Sequence, residues 1–121
     1  MIGIGLDVVD VERMRTVLSR RAAIKERLFT RSEQYYAEAS ADSVQRFAAR
    51  FAAKEAVMKA LGVGLGSVKF RDIEVVKLDS GKPTVELHGQ AAVLADLAGI
   101  RKWHLSISHT ALVAEAIVVA E

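Results

Sequence analysis

The run from Arg46 to Leu61, RFAARFAAKEAVMKAL, constrains this chain more than any other stretch. It predicts one amphipathic helix. At about 100° per residue, Val44, Phe47, Phe51, Met58 and Leu61 fall in one apolar arc. Beside it lies a face of small side chains, Ala49, Ala52, Ala53, Ala56 and Ala60, against which another backbone can come close. Glu55 projects inside the apolar arc, and Lys59 stands one turn on at its edge. A carboxylate on a core-facing stripe is costly unless a cation meets it. From the helix alone two readings stay open. One is an ordinary Glu55–Lys59 pair on a solvated edge, worth about 0.3–0.5 kcal/mol. The other is an acid carried into the packing.

A chain of 121 residues with 51% hydrophobic and 26% charged side chains supports one domain, spanning residues 1–121, and excludes a disordered chain. No apolar run reaches the roughly 20 residues of a transmembrane helix, so no membrane span is expected. MIGIGLDVVD has neither the basic start nor the long apolar stretch of a signal peptide and reads as a first strand. There is no cysteine, which removes disulfide and thiolate chemistry and fits a cytoplasmic protein.

In that first strand Ile2, Ile4 and Leu6 point one way and Gly3, Gly5 and Asp7 the other. Glycines on one strand face let something bulky approach the backbone, and Asp7 closes that face. Asp10 is the better N-cap for the helix that follows, over Val11 to about Ala23, whose apolar side is Val11, Met14, Val17 and Leu18. Between Arg13 and Arg31 seven cations stand against one acid, Glu26, a local basic surface hidden by the formal net charge of +2. Such a face is either a solvated helix side or a dock for an acidic protein, nucleic acid or anionic membrane. Few aromatics interleave, which argues against single-stranded nucleic acid. Thr30-Arg31-Ser32-Glu33 is a capping box, Asp42 stands ready to cap the long helix, and Gly62 to end it. The glycine cluster Gly62, Gly64 and Gly66 follows a helix and precedes a strand, the wrong context for a Rossmann or Walker loop. Its amides can still meet a phosphate. Val68 to Leu78, broken near Arg71-Asp72, and Thr84 to His88 form a hairpin about Ser80-Gly81-Lys82-Pro83. Gly89 to Leu97 is a short helix. Trp103 to Ser108 is a strand, and Ala111 to Ala120 is an apolar strand expected to be covered on both faces. Helices early and strands late predict an α+β fold, a small antiparallel or mixed sheet packed around a long central helix.

Two constellations carry chemistry. Asp7, Glu55 and Lys59 bring two carboxylates and an ammonium from separate elements. Carboxylates with room for water suit Mg²⁺, a hard ion that often borrows substrate phosphate oxygens. Ser106-Ile107-Ser108-His109-Thr110 places a histidine and hydroxyls at a strand end. No nucleophile elbow accompanies it, so it suits binding a phosphate or hydroxyl, or a purely structural role, better than hydrolysis.

GIGLD with Arg13 after it, RFAAKEAVMKALG and SISHT together resemble the bacterial holo-acyl-carrier-protein synthase family, the small 4′-phosphopantetheinyl transferases, in order and over nearly the whole chain. The resemblance implies transfer of the 4′-phosphopantetheine arm of coenzyme A to a serine of apo-acyl-carrier protein, releasing adenosine 3′,5′-bisphosphate. It implies that Asp7 and Glu55 hold Mg²⁺ with the coenzyme A diphosphate and that Lys59 contacts a phosphate. Arg50, His109 and Thr110 bind the 3′-phosphate and adenine end, and Gly62 and Gly64 line the nucleotide. Arg13, Arg20, Arg21 and Arg27 dock the acidic carrier, and a homotrimer places the sites at subunit interfaces. A Mg²⁺-dependent phosphoester hydrolase using the same acids and a non-enzymatic basic binding module are the other classes the residues allow.

Overall fold

The computed structural model describes residues 1–121. In chain order it has β1 (Gly3–Asp10), α1 (Val11–Arg20), α2 (Ala22–Leu28), α3 (Arg31–Glu38), α4 (Ser43–Leu61), β2 (Ile73–Lys77), β3 (Pro83–Leu87), α5 (Gly89–Leu97), β4 (Trp103–His109) and β5 (Val113–Ala120). One antiparallel sheet has the order β1-β5-β4, and β2 and β3 form a separate antiparallel hairpin. This is the α+β fold expected, with every strand pairing antiparallel.

Local signals set most helix ends. Asp10 Oδ1 accepts the amides of Glu12 and Arg13 and starts α1. Thr30 and Glu33 form the full capping box of α3. Gly62 ends α4 in the left-handed region at φ 73°, where its amide and that of Val63 bond back to Lys59 and Met58. Other expectations differ. The helix anticipated from Val11 to Ala23 breaks at Arg21, whose extended backbone starts α2 at Ala22. Asp42 precedes α4, but its carboxylate makes no cap bond; only its amide is held, by Ser40 Oγ. The stretch from Val68 becomes a strand only at Ile73, after a 3₁₀ turn over Phe70–Asp72.

α4 lies against the inner face of the β1-β5-β4 sheet. Small residues meet there: Ala52, Ala53 and Ala56 of α4 share the core with Ala114 and Ala116 of β5, and Gly5 of β1 lies against Ala56, all buried. The approach is backbone to backbone. A Cβ built on Gly5 comes within 1.8 Å of Ala56 O, and one on Gly3 within 2.2 Å of Ala60 O. Overpacking a side-chain gap costs about 1–3 kcal/mol, and here a main chain must move instead. Gly5→Ala is therefore expected to cost about 3 kcal/mol, read by urea unfolding. A cost under 1 kcal/mol would mean that β1 and α4 are not in contact.

The outer face of the sheet is apolar and uncovered. Ile4, Leu6 and Val8 of β1, with Ile2 just before it, are 48–56% exposed, and Val113 and Ile117 of β5 about 40%. The expectation that β5 is covered on both faces therefore fails within one chain. α4 covers its inner residues, and nothing in the chain lies on the other side.

Candidate active site

The packing of β1 on α4 builds the acid centre. Two residues along a strand advance about 6.8 Å, slightly more than one 5.4 Å helical turn. Gly3 meets Ala60 and Gly5 meets Ala56. Asp7 is next on the same strand face, and the side chains of Glu55 and Lys59 reach it from α4. Lys59 Nζ donates to Asp7 Oδ1 at 3.0 Å and to Leu6 O at 2.8 Å. The Asp7 side chain is only 13% exposed, that of Lys59 56%. Lys59 thus pairs across elements with Asp7, and the simple Glu55–Lys59 edge pair is not formed.

Glu55 faces Asp7. Its carboxyl is pushed up to about 7, first by burial, then by the charge of Asp7 and a hydrogen bond to it; Lys59 and Arg13 pull partly the other way. Asp7 Oδ2 is buried and has no hydrogen-bond donor against it. Two ionised carboxylates cannot donate to each other, so a proton on Glu55 or a cation must lie between them. Oxygen-only donors with one buried oxygen left over fit a hard divalent ion such as Mg²⁺. A carboxyl whose folded value lies above its unfolded value of 4.5 costs stability as pH rises through about 7. Without divalent ions, Glu55→Gln should therefore melt with the parent protein at pH 4 and above it at pH 8. Equal melting temperatures at both values would show that the two acids do not couple.

From Glu55 a groove of about 750 Å³ runs along α1 and α2, floored by Met14, Val17, Leu28, Phe51 and Phe70, with Arg13 and Arg27 on its lining. Arg20 and Arg21 are exposed beyond it, at the end of α1. The four arginines anticipated as a partner surface thus split into two beside the groove and two further along the same helical edge.

A second, smaller cavity of about 170 Å³ lies between α4 and the ends of β2 and β4, lined by Arg46, Arg50, Tyr36, Lys77 and His109 among others. Arg50 is 93% buried by its 7% exposure, and its Nε has no partner. Burial lowers its proton affinity, which the charges of Tyr36 and Glu33 partly restore. His109 Nδ1 lies 3.1 Å from Gln45 Oε1. Of the residues that the resemblance assigns to the 3′-phosphate end, His109 and Arg50 line one cavity. Thr110 does not join them: its Oγ1 accepts the amides of Leu112 and Val113 and shapes the turn into β5. Gly62 and Gly64 have open space where a side chain would be and line neither the groove nor this cavity.

Three features escaped the sequence. Lys54, beside Glu55, is fully buried and bonds Glu33 Oε1 at 2.8 Å, Phe70 O and Ile73 O. Burial lowers its proton affinity and Glu33 restores part of it. Tyr36 stacks under Arg50 and Arg46, with ring distances of 3.9 and 4.2 Å. Glu74, Glu86 and His88 converge within 4.8 Å on the outer hairpin, but Glu74 already accepts from Thr30 Oγ1 and pairs with His88. Only one signal pointed to the first two: Arg46, Arg50 and Lys54 recur every four residues and share one side of α4, so burying that side must bury some of them.

Residues 3–115 match the 4′-phosphopantetheinyl transferase superfamily. A holo-[acyl-carrier-protein] synthase of Koribacter versatilis is 44% identical over 123 aligned positions, covering 100% of this chain and 98% of that one. The chain belongs to the holo-[acyl-carrier-protein] synthase family. The fold of this synthase family follows it throughout. The crystal structure of the Neisseria meningitidis holo-[acyl-carrier-protein] synthase superposes with a TM-score of 0.90 at 33% identity, covering 100% of this chain and 98% of that one. The Helicobacter pylori synthase, crystallised in complex with coenzyme A, gives 0.85 at 33% identity, over 98% of this chain and 99% of that one. As a member of this synthase family the chain is a phosphopantetheinyl transferase, and the acid centre, groove and cationic cavity are the places where that chemistry must be sought.

Proposed function

We propose that this protein transfers the 4′-phosphopantetheine group of coenzyme A to a serine of an apo-acyl-carrier protein and releases adenosine 3′,5′-bisphosphate. The observation that carries this reading is Asp7, whose buried carboxylate meets Glu55 from another element and keeps one oxygen without a donor. Those two acids would hold Mg²⁺, which would supply charge stabilisation to a bound diphosphate. Lys59, exposed and fixed by Asp7 and Leu6 O, is placed to meet a phosphate oxygen and offset charge that develops there. The rest of the reaction is positioning. The groove beside Glu55 takes the apolar arm or the carrier helix that brings the serine, and Arg13 and Arg27 at its edge attract an acidic partner. Arg20 and Arg21 extend that attraction. Arg50 and His109 receive the 3′-phosphate end. Gly62 and Gly64 remain candidates only for a nucleotide lying outside both cavities, and Thr110 for a contact through its backbone.

The homotrimer comes from the family resemblance, and the uncovered apolar face of β1 and β5 agrees with a subunit contact, since Ile4, Leu6, Val8 and Ile117 are the kind of patch such a contact covers. No helix is long and apolar enough to cross a membrane. The absence of cysteine from the chain and the acyl-carrier substrate agree with a cytoplasmic role in lipid synthesis.

The test is to incubate the protein with coenzyme A, Mg²⁺ and apo-carrier protein and to weigh the carrier. A gain of one phosphopantetheine is the expected result. Release of free phosphopantetheine without any carrier present would favour a hydrolase. Binding with a steep salt slope and no turnover would favour a basic docking module.

A further inference from the structure

The groove beside Glu55 has one lining side chain that nothing holds. All of its lining residues except Leu65 and Phe70 stand on helices or strands. Phe70 is fixed: its ring stacks on that of Phe51 at 5.1 Å, and its carbonyl accepts from Lys54 Nζ at 2.9 Å. Leu65 lines the groove and is still 73% exposed. Its segment is pinned at both ends and loose between them. The Val63 amide bonds Met58 O, and Val68 is buried. Between these anchors the amides of Gly64, Leu65 and Gly66 donate to nothing in the chain, and the Ser67 amide reaches Gly64 O only at 3.3 Å. Gly66 sits at φ 90°, and a Cβ built on Gly64 or Gly66 meets nothing within 4 Å. A leucine carried between two glycines in open space can swing through large backbone changes at little cost. A single exposed leucine is ordinary on a protein surface. This one stands on the lining of an apolar groove that begins at Glu55.

We propose that Leu65 is a specificity-determining residue: it folds over the Glu55 end of the groove once coenzyme A is bound, and so directs the phosphopantetheine to the carrier serine and not to water. The inference rests on the transfer proposed above. Whatever makes the nucleotide a better leaving group serves either acceptor. In the step that Leu65 suppresses, a water oxygen bonds to the phosphorus nearer the pantetheine. The bond from that phosphorus to the bridging oxygen breaks, adenosine 3′,5′-bisphosphate leaves with that oxygen and the electron pair, and a water proton passes to solvent. In transfer the serine oxygen makes the same bond. Until the carrier docks, only exclusion of water keeps the first outcome from occurring. An apolar side chain suits this task, since it offers water no hydrogen bond and loses exposed surface on closing. Leu65 comes from the loop after α4, whereas Arg13 and Arg27, which attract the carrier, stand on α1 and α2. The cover and the docking edge thus belong to different elements, and closing one does not consume the other.

The test weighs free 4′-phosphopantetheine and modified carrier from the same reaction, for the parent protein, Leu65→Ser and Leu65→Met, with thermal melting to check that each is folded. The share of turnovers lost to water is the readout, because a general loss of activity or of folded protein leaves that share unmoved. The parent should release almost no free phosphopantetheine. Leu65→Ser should raise the lost share about tenfold, and Leu65→Met, which restores an apolar cover, should stay within about twofold of the parent. An unchanged share in Leu65→Ser, or an equal rise in Leu65→Met, would overturn the role of Leu65 while leaving the proposed transfer standing. Closure has a readout of its own that needs no turnover. In protein with labelled leucine methyls, those of Leu65 should gain nuclear Overhauser contacts to the rings of Phe51 and Phe70 when coenzyme A is added. If the carrier is never modified, the transfer falls, and that gain still supports Leu65 as the cover of the groove. Methyls that gain no contact on addition of coenzyme A count against the proposal whatever becomes of the carrier.

Discussion

Lys54→Met is expected to lower the unfolding free energy by about 3–5 kcal/mol, the cost of breaking a buried pair from one side. The side chain is fully buried and makes three bonds, to Glu33 Oε1 at 2.8 Å, Phe70 O at 2.9 Å and Ile73 O at 2.6 Å. Methionine fills much of the space but supplies no donor. Ile73 O then loses its partner, Phe70 O keeps only the Ile73 amide, and the Glu33 carboxylate stays buried with only the amides of Thr30 and Val75 against it. At about 0.05–0.15 kcal/mol per residue, such a loss is a large share of the stability of a domain this size. Urea unfolding followed by circular dichroism measures it. A change under 1 kcal/mol would show that the pair is not buried as described. Removing both charges, in Lys54→Met with Glu33→Leu, should recover only part of the loss, because the amides of Thr30 and Val75 and the carbonyl of Ile73 lose these partners. The network matters to the site as well as the fold. It ties α4, α3 and the start of β2 together at the residue next to Glu55, and so sets where that carboxylate lies.

Glu55→Gln is expected to lower kcat on the order of 10³-fold, about 4 kcal/mol at 1.36 kcal/mol per decade, with coenzyme A affinity within a few-fold of the parent. Asp7→Asn should fall in the same range. On the proposed function, each substitution leaves an oxygen for the ion but removes a charge from a site that would hold a divalent cation against a diphosphate. The cationic cavity, built from other residues, would still bind the substrate. Groups that act as a unit are not additive, so the double variant should be little worse than either single one. Rates from carrier mass and calorimetric coenzyme A binding test this together. Full activity in either single variant would remove the acid centre from the reaction. A double variant slower by the product of the two single losses would mean that the acids serve separate steps.

Much of this was legible because it is local. The Asp10 cap, the Thr30–Glu33 box, the αL glycine at Gly62 and the hairpin turn near Gly81 each depend on a few neighbouring residues. So does the alternation that sets Gly3, Gly5 and Asp7 on one strand face. What failed depends on what the chain meets elsewhere. Asp42 has the right chemistry for a cap, but its backbone at φ −92°, ψ 38° does not aim the carboxylate at the helix amides. The apolar side of β1 looked like a core stripe as easily as an exposed one. α4 covers the glycine face, and this leaves Ile4 and Leu6 outside.

The amino-acid order alone determined the element sequence except for the break that separates α1 from α2, the glycine face that admits a helix, and the three side chains Asp7, Glu55 and Lys59 that packing would join. Only the tertiary structure decided their partners. Lys59 went to Asp7, Lys54 went inward to Glu33, and Arg50 went under Tyr36. Periodicity reports which way a side chain points from its own helix. A charge buried among several elements is decided by which of them brings an acceptor within about 3 Å, and that distance exists only once the backbone has closed around it.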